Sequence, residues 1–169
     1  MPAAGHLDLS VGGPSVYPTL PREVLQGQSK PGDGWDVNAG EDANRRSIYI
    51  HVKRSLAVPL LTAFDFPDTD SSCEARFKTV QPAQALALLN SDFLNAEARR
   101  LAGATSGETP ARVAEIFRRV YLREPSADEV HETVDLVERL KAEHGVAPED
   151  ALAMAALVAF NSNEFLYVR

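Results

Sequence analysis

The stretch Phe64 to Asn90, FDFPDTDSSCEARFKTVQPAQALALLN, sets three aspartates, the chain's one cysteine and an arginine directly before an apolar helical pattern. Two uses of these side chains are open. Asp65, Asp68 or Asp70 can accept the guanidinium of Arg45 or Arg46 and brace a nonhelical crossing between helices, since irregular backbone borrows side-chain partners. Alternatively Asp65, Asp68, Cys73 and Arg76 line a ligand or catalytic pocket. A plain surface loop is the third reading.

Other chemistries fit less well. Asp68, Asp70, Ser72 and Glu74 alternate like the oxygens of a calcium loop, but Cys73 stands where that loop needs glycine and Thr79 where it needs glutamate. A nucleophilic Cys73 requires a base, and only the distant His51 is on offer; a small buried thiol is the simpler role. The histidines His6, His51, His131 and His144 form no HExxH pattern, and His131 with Asp135 falls on an exposed helical face, so no metal is expected. No phosphate-binding glycine loop or GxSxG is present. A single cysteine also rules out covalent c-type haem through two thioethers, so any haem belongs to a separate domain and this chain carries no cofactor.

The elements that position these residues read as helices. From Asp42, Ile48, Val52 and Leu56 recur every four residues, with Tyr49 beside them, until Pro59 stops the run. On that wheel Arg45 lies between Val52 and Leu56, aimed at the core. An arginine there needs an anion, because breaking a buried pair costs on the order of 3–5 kcal/mol. A short helix follows over PLLTAF. Pro82 opens another that runs to about Gly103, with Leu86, Leu89, Phe93, Ala96 and Leu101 on one wide face and Gln84, Ser91, Asp92, Asn95 and Arg99 opposite. Asn90 falls inside, where its amide would clamp backbone near the acidic loop.

Thr109 and Pro110 give a cap-plus-proline start, and Val113, Ile116, Phe117 and Val120 make one stripe. Ser126 and Glu129 have capping-box spacing, Val130, Val134 and Val137 face inward, and Gly145 ends that helix. Residues 109 to 123 and 126 to 144 thus form a helical hairpin. Pro148 begins the last helix, whose apolar run Ala151 to Phe160 is far short of the roughly 20 residues that span a bilayer. Asn161 and Asn163 then close it and tie its carbonyls to the N-terminal arm, with Phe165, Leu166 and Tyr167 as an apolar plug.

The expected fold is all-α: an irregular bundle of about five to six helices over residues 44–169, preceded by an extended, loop-rich arm over 1–43. Within the arm, GGPSVYPTLPREVL suits a strand-like or polyproline segment lying against a surface. A chain of 169 residues with 44% hydrophobic content builds a real core. Its net charge of -7 opposes nucleic acid and anionic lipid, although Arg46, Lys53 and Arg54 form a local basic patch through which nucleic acid could bind. The start MPAAGHLDLSVGG has no signal-peptide pattern, so either the chain is cytoplasmic or its true beginning is missing.

Taken together, NRRSIYIHVKRSLAVPLLTAFDFPDTDSSCEARFKTVQPAQALALLNSDF, then RRVYLREPSADEV, then NSNEFLYV, resemble the C-terminal domain of unknown function of large planctomycete proteins that also carry a planctomycete cytochrome c-type domain. The likeness runs from GGPSVYPTLPREVLQGQ onward. It implies that residues 44–169 are the C-terminal part of a larger domain and that this chain is a fragment of it. It also implies a periplasmic or cell-envelope location and, as partners, the upstream domains of a parent protein or a cytochrome c-type protein. No activity comes with the resemblance. The reading that follows is a noncatalytic structural or interaction module; the alternatives are part of a redox or polysaccharide-hydrolysing enzyme with its pocket at residues 65–76, and a small stand-alone adaptor.

Overall fold

The computed structural model describes residues 3–36, 44–67 and 82–167. The protein is all-α. Among the described residues the helices are α1 (Arg22–Gln26), α2 (Pro59–Ala63), α3 (Pro82–Leu89), α4 (Asp92–Gly103), α5 (Thr109–Tyr121), α6 (Ala127–His144), α7 (Pro148–Phe160) and α8 (Asn163–Leu166). Among the described residues only α3 to α7 exceed five residues, and β pairing is limited to isolated bridges. The chain divides into two compact units, one of Met1–Gly5 with Leu88–Arg169 and one of His6–Ala87.

In the first unit α4 packs most extensively on α7, α6 also lies on α7, and α5 contacts α4, α6 and α7. The expected stripe of α5, Val113, Ile116, Phe117 and Val120, is buried, and Val137 of α6 is buried with it. Leu101 and Phe160 are among the largest fully buried side chains. Burying a side chain of that size contributes roughly 1.5–3 kcal/mol.

The helix ends follow local chemistry. Ser126 accepts the Glu129 N–H at 3.2 Å while the Glu129 carboxylate accepts the Ser126 N–H at 2.7 Å, which completes the predicted capping box. Gly145, at φ 63°, closes α6 in the left-handed region that a glycine enters without a Cβ penalty. The corresponding stop of α5 is Leu122, at φ 57° and 88% exposed. Thr109 is not the cap of α5 but its first helical residue; the N-cap is Glu108, which makes no side-chain cap bond.

The helix expected from Pro82 to about Gly103 is two helices. Ser91 adopts extended dihedrals (φ -72°, ψ 119°) and its hydroxyl accepts the Leu94 N–H at 3.3 Å, which starts α4 afresh. The break resets the helical phase, so the single wide face does not form. Leu86, Leu89 and Phe93 are exposed, whereas Leu88, Leu94, Ala98, Leu101 and Ala102 are buried.

The second correction concerns residues 42 to 58. Residues 44–58 form no α-helix: they hold a 3-10 turn at Ser47–Tyr49 and isolated bridges, and Ile48 is 82% exposed. Their backbone groups bond to another segment instead: the Asp8 N–H to the Asn44 carbonyl at 3.0 Å, the Val16 N–H to that of Tyr49 at 2.8 Å, and the His51 N–H to that of Val16 at 2.9 Å. Pairing across segments takes the carbonyls that i to i+4 bonds would need, and β-branched Ile48, Ile50 and Val52 favour the extended form. The strand-like reading of GGPSVYPTLPREVL, residues 12–25, is therefore realised at Val16, which bridges in parallel to Ile50, but the end of that stretch turns helical as α1, Arg22–Gln26. The short helix after Pro59 forms as α2.

Candidate interaction surface

In the His6–Ala87 unit Arg45 joins two segments. It lies on extended backbone, not on a helix, and its side chain is 8% exposed. Nη1 donates to the Pro14 carbonyl at 2.8 Å, and Nη2 donates to the carbonyls of Gly12 and, at 3.3 Å, Ser10. Nε faces the Asp8 carboxylate at 3.6 Å, and the guanidinium lies 3.8 Å from the centre of the Tyr49 ring. Three carbonyls of a glycine-containing loop are thus satisfied by one planar cation, which the fork geometry of arginine allows.

The same clasp perturbs its neighbours. The Ser10 N–H and hydroxyl, each 2.8 Å from the Asp8 carboxylate, hold that carboxyl below its ordinary range, with Arg45 adding to the effect. The Gly12 N–H donates to the Tyr49 phenolic oxygen at 3.1 Å and is the main cause that lowers the phenol, followed by Arg46 and Arg45. Arg46 itself is exposed, 5.7 Å from the Tyr49 ring centre.

Of the acidic stretch, Asp65 is described: it sits at φ 57° just after α2, its N–H bonds the Thr62 carbonyl at 3.2 Å, and it makes a further contact. Asp68, Asp70, Cys73 and Arg76 lie outside the described residues. Asn90 is exposed, at the turn between α3 and α4, and not inside. The amide that clamps backbone there is Asn95, whose Nδ2 donates to the Leu89 and Ser91 carbonyls, each at 3.0 Å. A Ser-Asp pair inside an apolar run was the signal that a helix restarts, and the restart is what places Asn95 within reach of the turn.

Tyr17 and His51 stack at 4.7 Å, and Trp35 meets Tyr17 edge-on at 5.3 Å while its indole N–H donates to the Pro18 carbonyl at 3.0 Å. His51, Lys53, Arg54, Leu61 and Phe66 line part of a cleft of about 260 Å³ in this unit. Lys53 donates to the Asp33 carbonyl, and Arg54 is engaged in a further contact.

The Leu88–Arg169 unit ties its helix ends with arginines. Arg112 makes two bonds of 2.7 Å to Glu149 and also donates to Thr105 Oγ1 at 3.1 Å and the Ala102 carbonyl at 3.0 Å, so it joins the end of α4 to the start of α7. Its bonds to Glu149 lower that carboxyl and raise the guanidinium. Arg123 bonds Glu129 of α6 at 2.6 and 2.9 Å and Glu164 of α8 at 2.6 and 2.8 Å. These bonds, with the Ser126 N–H, hold the Glu129 carboxyl at about 2. Glu97, unforeseen as a buried side chain, is 1% exposed within α4 and pairs with Arg100 at 3.2 Å. Asn161 does not reach outward: its Nδ2 donates to the Leu157 carbonyl of its own helix at 2.8 Å. Phe165 packs on Phe160 at 5.3 Å.

Helix α7 carries the feature that points outward. From Ala151 to Phe160 it contains no polar residue, a pattern of helices covered on every side, yet Met154 is 43% and Val158 56% exposed. These two positions, four apart, share one face. Asn95, Ala98, Ala153, Met154 and Leu157 border a groove of about 260 Å³ between α4 and α7, which the exposed Arg99–Asp150 pair, 3.5 Å apart, also lines. Among the described residues no three His, Cys, Asp or Glu side chains are grouped to hold a metal ion, and no helix is long and apolar enough to cross a membrane.

Fold and surface define an all-α chain with a loop-built N-terminal unit and an apolar helix, α7, that leaves Met154 and Val158 exposed. The chain belongs to the family described as PSD1, protein of unknown function (DUF1553), which matches residues 1–137 and so reaches most of the way through α6. No curated protein and no solved structure matches it.

Proposed function

We propose that this chain is a noncatalytic structural and interaction module of an envelope-associated multidomain protein, and that it docks against the cytochrome c-type domain or the upstream part of that protein. The observation that carries the docking reading is the face of α7: a helix apolar all round with Met154 and Val158 left in water. Apolar side chains gathered on one face mark an association site better than single exposed ones do. The resemblance of the chain's sequence blocks to cytochrome-linked planctomycete proteins supports the choice of partner and of a periplasmic or envelope location. In this reading haem belongs to the partner domain.

The test is co-elution. The chain is mixed with a separately produced cytochrome c-type domain of a parent protein, and the haem absorbance is followed on a sizing column. It should shift to the mass of a complex, and a Met154→Glu/Val158→Glu variant with an unchanged helical circular dichroism spectrum should abolish the shift. Haem absorbance that never moves with the chain, or that moves equally with the variant, overturns the docking.

A further inference from the structure

We draw no further inference here: the strongest candidate, the cleft bordered by His51, Lys53, Arg54 and Phe66 in the His6–Ala87 unit, carries none, because Lys53 already donates to Asp33 and Arg54 is already engaged, so that nothing in the structure shows which ligand it would select.

Discussion

Between Leu88 and Tyr167 the chain buries hydrocarbon and leaves its arginines to tie helix ends, whereas between His6 and Pro67 it buries a guanidinium and stacks aromatic rings. The first region fills its interior with Leu101, Val113, Ile116 and Phe160. The second has, among its described residues, an apolar cluster of Leu20, Trp35 and Leu56, flanked by Tyr17, Val24, Leu25 and Val58. Backbone bonds between segments add to it, and so does Arg45, which satisfies the carbonyls of Ser10, Gly12 and Pro14. In a helix those carbonyls would bond within the element; in a glycine- and proline-rich loop something else must meet them. One cation with several donors does so, and the aromatic face of Tyr49 covers it.

The contrast can be broken first in the helical unit. Phe160→Ala should lower stability by about 3–5 kcal/mol, because a fully buried ring is replaced by a void. The measurement is the urea midpoint followed by far-ultraviolet circular dichroism, and an unmoved midpoint would show that α7 is not the centre of that core. In the loop-built unit, Arg45→Met keeps the apolar stem and removes the donors. It should cost about 2–3 kcal/mol, the scale of hydrogen bonds to a charged group. Trp35 is the one tryptophan of the chain and lies in the same unit, so its fluorescence reports the loss. A wild-type emission profile in Arg45→Met would mean that the 8–14 loop holds itself without the cation.

Acid sharpens the comparison. The Glu129 carboxyl is held at about 2 in the folded chain, below its ordinary value of 4.5. Its contribution is therefore complete above about 4.5 and fades as the pH falls toward 2. Melting temperatures taken between pH 2 and 6 should separate wild type from Glu129→Gln at the upper end and bring them together at the lower. A constant gap across that window would remove the Arg123–Glu129 bonds as its source. The effect is modest, because both partners keep contact with water.

The smallest change has the opposite sign. Leu122 occupies a left-handed stop with its side chain almost wholly in solvent, so Leu122→Gly relieves a strained backbone at little loss of packing. A gain of about 0.5–1 kcal/mol is expected after allowing for the greater freedom of glycine in the unfolded chain. A lower thermal midpoint in Leu122→Gly would show that the leucine side chain contributes more by packing than its backbone conformation costs.

The local code of the helical unit was legible. The Ser126–Glu129 box, the stripe Val113 to Val120, the Gly145 stop and the start at Pro148 each depend on residues within a turn or two of one another. Two readings failed for a common reason. Ile48, Val52 and Leu56 have helical spacing, and a helix drawn through Pro82 to Gly103 joins two apolar patterns, but periodicity does not record where backbone hydrogen bonds go. Asn44, Tyr49 and Val16 exchange theirs between segments, and Ser91 takes the role of a cap. The candidate surface was half legible: the apolar run of α7 is plain in the sequence, but which of its faces stays in water is not.

By itself, then, the order of residues determined that this chain is helical and where most of its long helices begin and end. Tertiary structure decided where Arg45 lies and what it bonds: Asp8 and three carbonyls more than 30 positions away in the chain. It also decided that Met154 and Val158 face outward, and that Asn95 instead of Asn90 clamps the turn before α4. Caps and stripes act over a few residues and are written locally. The burial of a charge and the exposure of a helix face depend on segments distant in sequence, which only the folded chain brings together.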